Sequence, residues 1–180
     1  MKNMREQLKG ITEDRIPFTF MQENVPRLQD NRETTAAVTE ARVVGRDKEK
    51  QEVMVRLSGS ITEKMTILPI YGIGGLGKTT LAKMVYNSSQ FREYSQVWVY
   101  VSQTFDLKKI GNSIISQLSQ KENESGYTGK EMIHNSLQKL IANKNILIVL
   151  DDLWETDTSQ LNQLKLMLRV SSKMRVLVTT

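Results

Sequence analysis

The sequence predicts an α/β domain with a parallel β-sheet, because strand-like and helix-like segments alternate from residue 43 onward and a glycine-rich loop joins the first strand to the next helix. Short apolar segments rich in β-branched residues, typical of buried strands, are separated by segments whose apolar residues recur every three or four positions, typical of helices. A glycine-rich segment connects the first strand to the next helix. Strands interleaved with helices favour parallel pairing, since a helix can carry the chain back across the sheet.

Strands are predicted at Met65–Tyr71, Gln96–Ser102, Asn145–Leu150 and Arg175–Thr180. Helical periodicity is found at residues 47–58, 79–86, 107–118, 132–141 and 161–168. In the first helix, Asp47 is the predicted N-cap and Gly59 the predicted end. The fourth helix follows a polar loop at Lys121–Gly129, and its predicted buried face comprises Met132, Ile133, Leu137, Leu140 and Ile141.

The first 42 residues have a different character. Residues 1–16 are interpreted as the tail of a helix, since Met4, Leu8 and Ile11 recur at helical spacing. Residues 17–42 contain two prolines and polar residues without periodicity, which indicates a linker. The predicted organisation is therefore a short helical segment, a linker and an α/β domain at 43–180. Because natural domains rarely end on an apolar central strand, we expect the chain to be a C-terminally truncated piece of a larger protein.

Composition excludes several classes of protein. The chain has no cysteine, which excludes a disulfide framework and cysteine-ligated zinc. The N-terminus is charged rather than apolar, and the longest apolar run, Ile146–Leu150, is far too short to span a bilayer. The net charge is +5, but the basic residues are scattered among acidic ones, so no specific nucleic-acid site is expected. We expect a soluble cytoplasmic chain without a transmembrane segment.

The segment GIGGLGKTT at residues 72–80 matches the phosphate-binding loop pattern G-x-x-x-x-G-K-[ST] through Gly72, Gly77, Lys78 and Thr79. Glycines let the backbone bring several N–H groups close to phosphate oxygens. Lys78 can reach the β and γ phosphates, and the Thr79 hydroxyl can hold Mg²⁺. A strand before the loop and a helix after it are the context that this motif requires. The other loop residues predicted to contact nucleotide are Gly74, Gly75, Leu76 and Thr80.

Asp151 and Asp152 directly follow the apolar strand Asn145–Leu150. Ligands of parallel sheets bind at the carboxyl ends of the strands, which is where these acids are predicted to lie. Asp151 is predicted to hold Mg²⁺, and Asp152 to orient or deprotonate an attacking water. The alternative is that both acids cap the turn after the strand. The single histidine, His134, is interpreted as packed or half-exposed, and Trp98 and Trp154 as packing residues.

Four blocks of the sequence resemble the nucleotide-binding (NB-ARC) domain of plant immune receptors that carry a coiled-coil N-terminus and leucine-rich repeats. They occur in the order typical of that family and are VVGRDKEK (43–50), GIGGLGKTTLAKMVYN (72–87), VWVYVSQTFDLKKI (97–110) and ILIVLDDLW (146–154). The stretch before them, through MQENVP, is similar to the coiled-coil tail and linker of the family.

The resemblance implies a nucleotide switch that is held off by ADP and permits defence signalling after exchange for ATP. It implies a P-loop NTPase-type sheet of the additional-strand class, in which Gln96–Ser102 would be inserted between the two phosphate-site strands. It also implies that Val44, Gly45 and Arg46 line the adenine pocket. Partners would be other receptor domains or receptor protomers, contacted through the N-terminal helix.

The family has further parts that this sequence does not contain. They are an arginine after the VTT at 178–180 that senses the γ-phosphate, a helical subdomain, a winged-helix subdomain and the repeats. The resemblance also implies a fifth strand from beyond residue 180, next to the phosphate-loop strand. Without it, Thr66–Tyr71 would be an unpaired apolar edge and an aggregation liability.

Three functions remain open on sequence grounds. The first is an ADP/ATP-binding switch domain of an immune receptor. The second is a stand-alone P-loop ATPase, motivated by Asp152 beside Asp151; at most weak turnover is expected, because the γ-phosphate arginine is not part of the sequence. The third is a fragment that binds no nucleotide and acts by contacting a full receptor.

Overall fold

The computed structural model describes residues 45–59, 64–101, 104–119, 126–169 and 173–180. The strands are β1 (Met65–Ile70), β2 (Ser95–Tyr100), β3 (Ile146–Asp151) and β4 (Met174–Thr179). The helices are α1 (Asp47–Ser58), α2 (Lys78–Tyr86), α3 (Leu107–Ser119), α4 (Lys130–Ile141) and α5 (Thr158–Leu168), with a short 3₁₀ helix at Ser89–Phe91. The predicted helical tail and linker, and much of the predicted polar loop, lie outside the described residues.

The four strands form one sheet in the order β1-β4-β3-β2, and every pair is parallel. The predicted α/β fold with a parallel sheet is therefore confirmed, and each strand lies within one residue of its predicted start. The predicted position of Gln96–Ser102 is wrong, because β4 and not β2 lies between β1 and β3. The chain passes from β1 through α2 to the far edge of the sheet, and β3 and β4 later fill the two positions between.

Apolar side chains cover both faces of this sheet. On one face, alternate residues of β2, β3 and β4 pack against α3, α4 and α5, with Val97, Ile148 and Val176 among them. On the other face, the intervening residues, which include Leu147 and Leu177, pack against α1 and α2. Burial explains why β3 and β4 have apolar residues on both faces instead of an alternating pattern.

The second face also carries aromatic packing. The rings of Tyr86 and Trp98 meet edge to face, with centroids 5.5 Å apart. Burial raises the pKa of the Tyr86 phenol above its ordinary value of 10.0, since it disfavours the phenolate. Trp98 is almost fully buried, which confirms its interpretation as a packing residue.

Arg175 on β4 is completely buried at the opposite end of that strand from Thr179. Its guanidinium donates to the Ser58 carbonyl oxygen at 2.9 Å and to the Thr66 hydroxyl at 3.0 Å. A buried guanidinium requires such acceptors, since its charge is costly to remove from water. Arg175 thus ties the last residue of α1 to the start of β1.

The two outer strands of the sheet, β2 and β1, differ in the hydrogen bonding of their outward-facing edges. On β2, the side chain of Gln117 in α3 accepts from the Trp98 backbone N–H at 3.0 Å and donates to the Trp98 carbonyl at 2.8 Å. The amide therefore takes the place of a neighbouring strand at this position. Among the described residues, β1 pairs with β4 alone, and Ile67 at its centre is 40% exposed. Within the described ranges β1 therefore lies at the edge of the sheet, and its aggregation remains a prediction.

Two details of the helices differ from expectation. Asp47 is the first residue of α1 and not its N-cap; the cap is Arg46, whose backbone is left-handed at φ 71° and whose side chain caps no amide. Gly59 ends the helix as predicted. In α4, Ile133, Leu137 and Ile141 are buried as predicted, but Met132 is 54% exposed because it lies beside that face.

Gly111 in α3 marks a close contact between helices. A Cβ atom added there would lie 2.4 Å from the Cγ2 atom of Ile133 in α4 and 3.3 Å from the sulfur of Met167 in α5. We predict that Gly111→Ala lowers the free energy of unfolding by about 1–3 kcal/mol, because overpacking exceeds the gain in helix propensity. Urea unfolding followed by circular dichroism measures this difference.

The matched control for that prediction is Gly74→Ala, since a Cβ at Gly74 would meet no atom within 4 Å and its φ is not in the positive region. Its stability should change by less than about 0.5 kcal/mol. Equal unfolding midpoints for the two variants would contradict the close contact at Gly111.

Candidate functional site

The glycine loop leads from the carboxyl end of β1 into the N-terminus of α2. Gly75 and Gly77 have φ values of 80° and 75°, a left-handed conformation that residues with a Cβ atom rarely adopt. Gly77 is the N-cap of α2, and its carbonyl accepts the first helical hydrogen bond, from the Leu81 N–H at 2.9 Å. The loop therefore ends where the N–H groups and the dipole of α2 favour an anion.

Lys78 is the first residue of α2, and its side chain turns back over the loop. Its ammonium donates to the carbonyl oxygens of Gly72 at 2.7 Å and Ile73 at 3.2 Å. An ammonium has three N–H donors, so these two bonds fix the side chain and a third donor can serve an anion. The geometry places the positive charge over the loop, as the motif predicts.

Asp151, the last residue of β3, is completely buried. Along β3 it follows Leu147 and Val149 on the face that α2 covers, and it therefore points toward Thr79 in the first turn of α2. Its Oδ1 atom accepts from the Thr79 hydroxyl at 2.9 Å and from the Thr179 hydroxyl at 2.6 Å. The structure thus brings the two predicted Mg²⁺ ligands, Thr79 and Asp151, into direct contact.

Asp152 follows in a left-handed conformation with φ 64°, and its N–H donates to the Thr179 hydroxyl at 2.8 Å. This backbone turn directs its side chain away from that of Asp151. The Oδ1 atom accepts from the Trp154 indole N–H at 2.6 Å, and the Oδ2 atom lies 3.5 Å from the Tyr100 hydroxyl. The Asp152 carboxylate is therefore held by two aromatic donors.

Trp154 is not the packing residue that the sequence analysis expected, because it is 56% exposed. Its ring centroid lies 5.7 Å from the Lys78 ammonium, within the range of a cation–π interaction. Trp154 thus contacts both halves of the site, the phosphate loop and the acidic turn after β3.

Arg46 also reaches the loop, since its guanidinium donates to the Leu76 carbonyl oxygen. It would lie 3.7 Å from a Cβ atom built on Gly77. Gly45 immediately precedes it in a left-handed conformation, with φ 83°. The segment before α1 is therefore close to the phosphate loop, as an adenine pocket there would require. Val44 lies outside the described residues.

The remaining predicted site residues occupy the same region: Gly72, Gly74 and Leu76 are in the loop, and Thr80 is in the first turn of α2. His134 lies elsewhere, half-buried on α4 beside Gln138, in agreement with its interpretation.

Sequence analysis missed Thr179, Tyr100 and the site role of Trp154. Thr179 follows Leu177 on its strand at the spacing that places both on one face, but only the strand order brings that face beside Asp151.

The donor set fits a phosphate group with a divalent cation. A hydroxyl and a carboxylate are the hard oxygen ligands that Mg²⁺ prefers, and Mg²⁺ in nucleotide sites completes its shell with phosphate oxygens and water. Within the described ranges, no group of three or more His, Cys, Asp or Glu residues could hold a metal ion. Thr79 and Asp151 would supply two of the ligands of such a cation.

None of the helices in the described part of the chain is long and apolar enough to cross a membrane.

Comparisons with known proteins agree with this geometry. The family model for the NB-ARC domain matches residues 46–180. Disease resistance protein RGA2 of Solanum bulbocastanum is 35% identical over the whole chain, which spans 19% of that protein. Putative disease resistance RPP13-like protein 1 of Arabidopsis thaliana is 32% identical over 82% of the chain and 14% of its own length. The chain thus spans less than a fifth of the length of these curated relatives.

The family model covers three quarters of the chain and includes every element of the described fold. The glycine loop, Lys78 and the Thr79–Asp151 contact all lie within the matched residues. The chain belongs to the NB-ARC domain family.

Proposed function

We propose that residues 43–180 form the ADP/ATP-binding switch domain of a plant intracellular immune receptor that acts in defence. The observation that carries this proposal is the pairing of two half-sites. The glycine loop with Lys78 supplies an anion site, and the Thr79–Asp151 contact supplies cation ligands beside it. Binding of a phosphate–Mg²⁺ group uses both at once.

Each residue has a distinct role in this proposal. Backbone N–H groups from Gly72 to Thr80 surround the phosphates, and the Lys78 ammonium neutralises the β and γ oxygens. Thr79 binds Mg²⁺ directly, while Asp151 holds it through water or directly. The Thr79 hydroxyl oxygen and the Asp151 Oδ1 atom lie 2.9 Å apart, so one cation could replace the proton that these two oxygens share. Gly45, Arg46 and Val44 line the adenine side.

The wider role is proposed from the family. The relatives are named as disease resistance proteins, and the chain corresponds to a small part of each. We propose that it acts in the cytoplasm and that its partners are other receptor domains or protomers, contacted through residues 1–16, the segment interpreted from the sequence as a helical tail. Exchange of ADP for ATP would change those contacts, since only ATP places a γ-phosphate beside Asp152.

Hydrolysis is the second candidate function, and the observation that favours it is the carboxylate of Asp152. It lies one residue after the proposed cation ligand and could orient a water. Phosphoryl transfer also requires stabilisation of charge at the γ-phosphate, to which an arginine contributes factors of about 10³ or more. We therefore propose binding as the main activity and at most weak ATPase activity.

Lys78→Ala should abolish Mg-ADP binding to the 180-residue chain, because it removes the ammonium that lies over the loop. Isothermal titration calorimetry measures the affinity. Wild-type protein with ADP at about 100 times Kd should also gain about 2.7 kcal/mol of stability.

Lys83→Ala is the matched control for Lys78, since it removes the same charge from α2 at a position beside Trp98. It should bind ADP as the wild type does. Equal binding by wild type and Lys78→Ala would refute the phosphate site. A folded wild-type chain that binds no nucleotide would favour the third function, an interaction fragment.

Asp151→Asn should weaken the dependence of ADP binding on Mg²⁺, because an amide is a poorer cation ligand than a carboxylate. In the wild type, removing Mg²⁺ with EDTA should lower ADP affinity by at least about tenfold. In Asp151→Asn, affinity with and without Mg²⁺ should differ by less than about threefold. An undiminished Mg²⁺ effect would show that the cation binds elsewhere.

Steady-state release of phosphate from Mg-ATP should be negligible for this chain, at single-turnover level or below, because the contacts described for the Asp152 carboxylate include no arginine that could stabilise charge at the γ-phosphate. A phosphate-sensor assay with enzyme at micromolar concentration tests this. Multiple turnover that disappears in Asp152→Ala would contradict the expectation and establish an ATPase.

A further inference from the structure

Trp154 has no part in the phosphate and cation binding described above, yet it contacts two charged groups of the site, the Lys78 ammonium and the Asp152 carboxylate. Its indole N–H donates to the Asp152 Oδ1 atom at 2.6 Å. The Lys78 ammonium lies 5.7 Å from its ring centroid. Because the side chain is 56% exposed, core packing does not account for its position.

The indole N–H is the shorter of the two bonds that the structure shows to the Asp152 carboxylate. The Tyr100 hydroxyl lies 3.5 Å from the other oxygen, at the limit for a hydrogen bond. A bond from N–H to a charged oxygen is stronger than one between neutral groups. Asp152 also has a left-handed backbone, which is unusual for a residue with a Cβ atom. The orientation of its carboxylate therefore depends chiefly on Trp154.

The Trp154 indole contacts two groups of opposite charge. Lys78 bonds to the carbonyls of Gly72 and Ile73 and faces the indole, while Asp152 bonds to the indole nitrogen. The contacts shown for Lys78 and Asp152 include no ion pair between them. If the carboxylate were released, its attraction to the ammonium would draw it toward Lys78, where it would compete with phosphate oxygens.

We propose that Trp154 is a positioning residue that holds the Asp152 carboxylate away from Lys78 and so keeps the ammonium available to the nucleotide phosphates. This proposal rests on the proposed function as a nucleotide-binding domain. Loss of the indole N–H should weaken binding of ATP more than of ADP, because the γ-phosphate adds negative charge that the Lys78 ammonium has to neutralise. Trp154 is thereby a determinant of nucleotide preference.

The geometry can be tested first without nucleotide, by NMR of ¹⁵N-labelled indole groups. The chain has two tryptophans, and the buried Trp98 indole nitrogen has no hydrogen-bond partner among the residues that the structure describes, so its signal is an internal control. In Asp152→Asn, the Trp154 indole proton should move upfield because its charged acceptor is lost, while the Trp98 proton should stay. An unchanged chemical shift of the Trp154 indole proton in Asp152→Asn would overturn the proposal.

The effect on binding is tested by calorimetry with Mg-ADP and Mg-ATP on the 180-residue chain. Trp154→Phe keeps a ring beside Lys78 but removes the N–H donor, and its exposed position should leave the fold intact. We expect ATP affinity to fall about tenfold and ADP affinity by less than about threefold. Tyr100→Phe removes the longer bond to the same carboxylate, and its loss of ATP affinity should be smaller than that of Trp154→Phe.

The outcomes separate this proposal from the proposed function. Unchanged affinities in Trp154→Phe, with binding still lost in Lys78→Ala, would overturn the role of Trp154 and leave the nucleotide site standing. A wild-type chain that binds neither nucleotide would overturn both. Equal losses for ADP and ATP would refute the role of Trp154 in nucleotide preference.

Discussion

The buried carboxylate of Asp151 constrains three separate parts of the chain at once. A fully buried carboxylate is costly unless its oxygens accept hydrogen bonds, and here the Oδ1 atom accepts from both Thr79 and Thr179. These donors come from α2 and β4, so the bonds require β4 to lie beside β3 and α2 to cover that face. The same arrangement brings the glycine loop to the carboxyl end of the sheet. The hydrogen bonds of Asp151 therefore depend on the strand order, and the same strand order brings the residues of the candidate site together.

Much of the fold could be predicted, because the relevant signals are local. Apolar runs with β-branched residues predicted all four strands, and helical periodicity predicted the five helices, since burial acts on each segment separately. Strand order is not a local property. The segment Gln96–Ser102 is as apolar as a central strand, because Val97 and Val99 pack under helices on one face and Trp98 on the other. An edge strand covered on both faces cannot be told from an inserted one by its composition.

The candidate site divides in the same way. Gly72, Lys78 and Asp151 were found because a phosphate loop and an acid after an apolar strand have fixed spacing, and the structure brings them together. Thr179 and Tyr100 join the site only through strand pairing, and no sequence spacing records it. Trp154 was misinterpreted because a tryptophan in an α/β domain is usually buried by packing. Its position instead follows from one short hydrogen bond, which composition does not reveal.

The side-chain amide of Gln117 makes the two outer edges of the sheet different from each other. With the Trp98 backbone already bonded to a side chain, an approaching strand would have to displace two hydrogen bonds at the β2 edge, while β1 pairs with β4 alone among the strands that the structure describes. Any added strand, whether from the same polypeptide or another, therefore meets its lower barrier next to β1. Since β1 runs straight into the glycine loop, such a strand would be mechanically connected to the phosphates. Pairing of a strand with β1 and binding of a ligand at the glycine loop would then affect each other through the backbone that joins β1 to the loop.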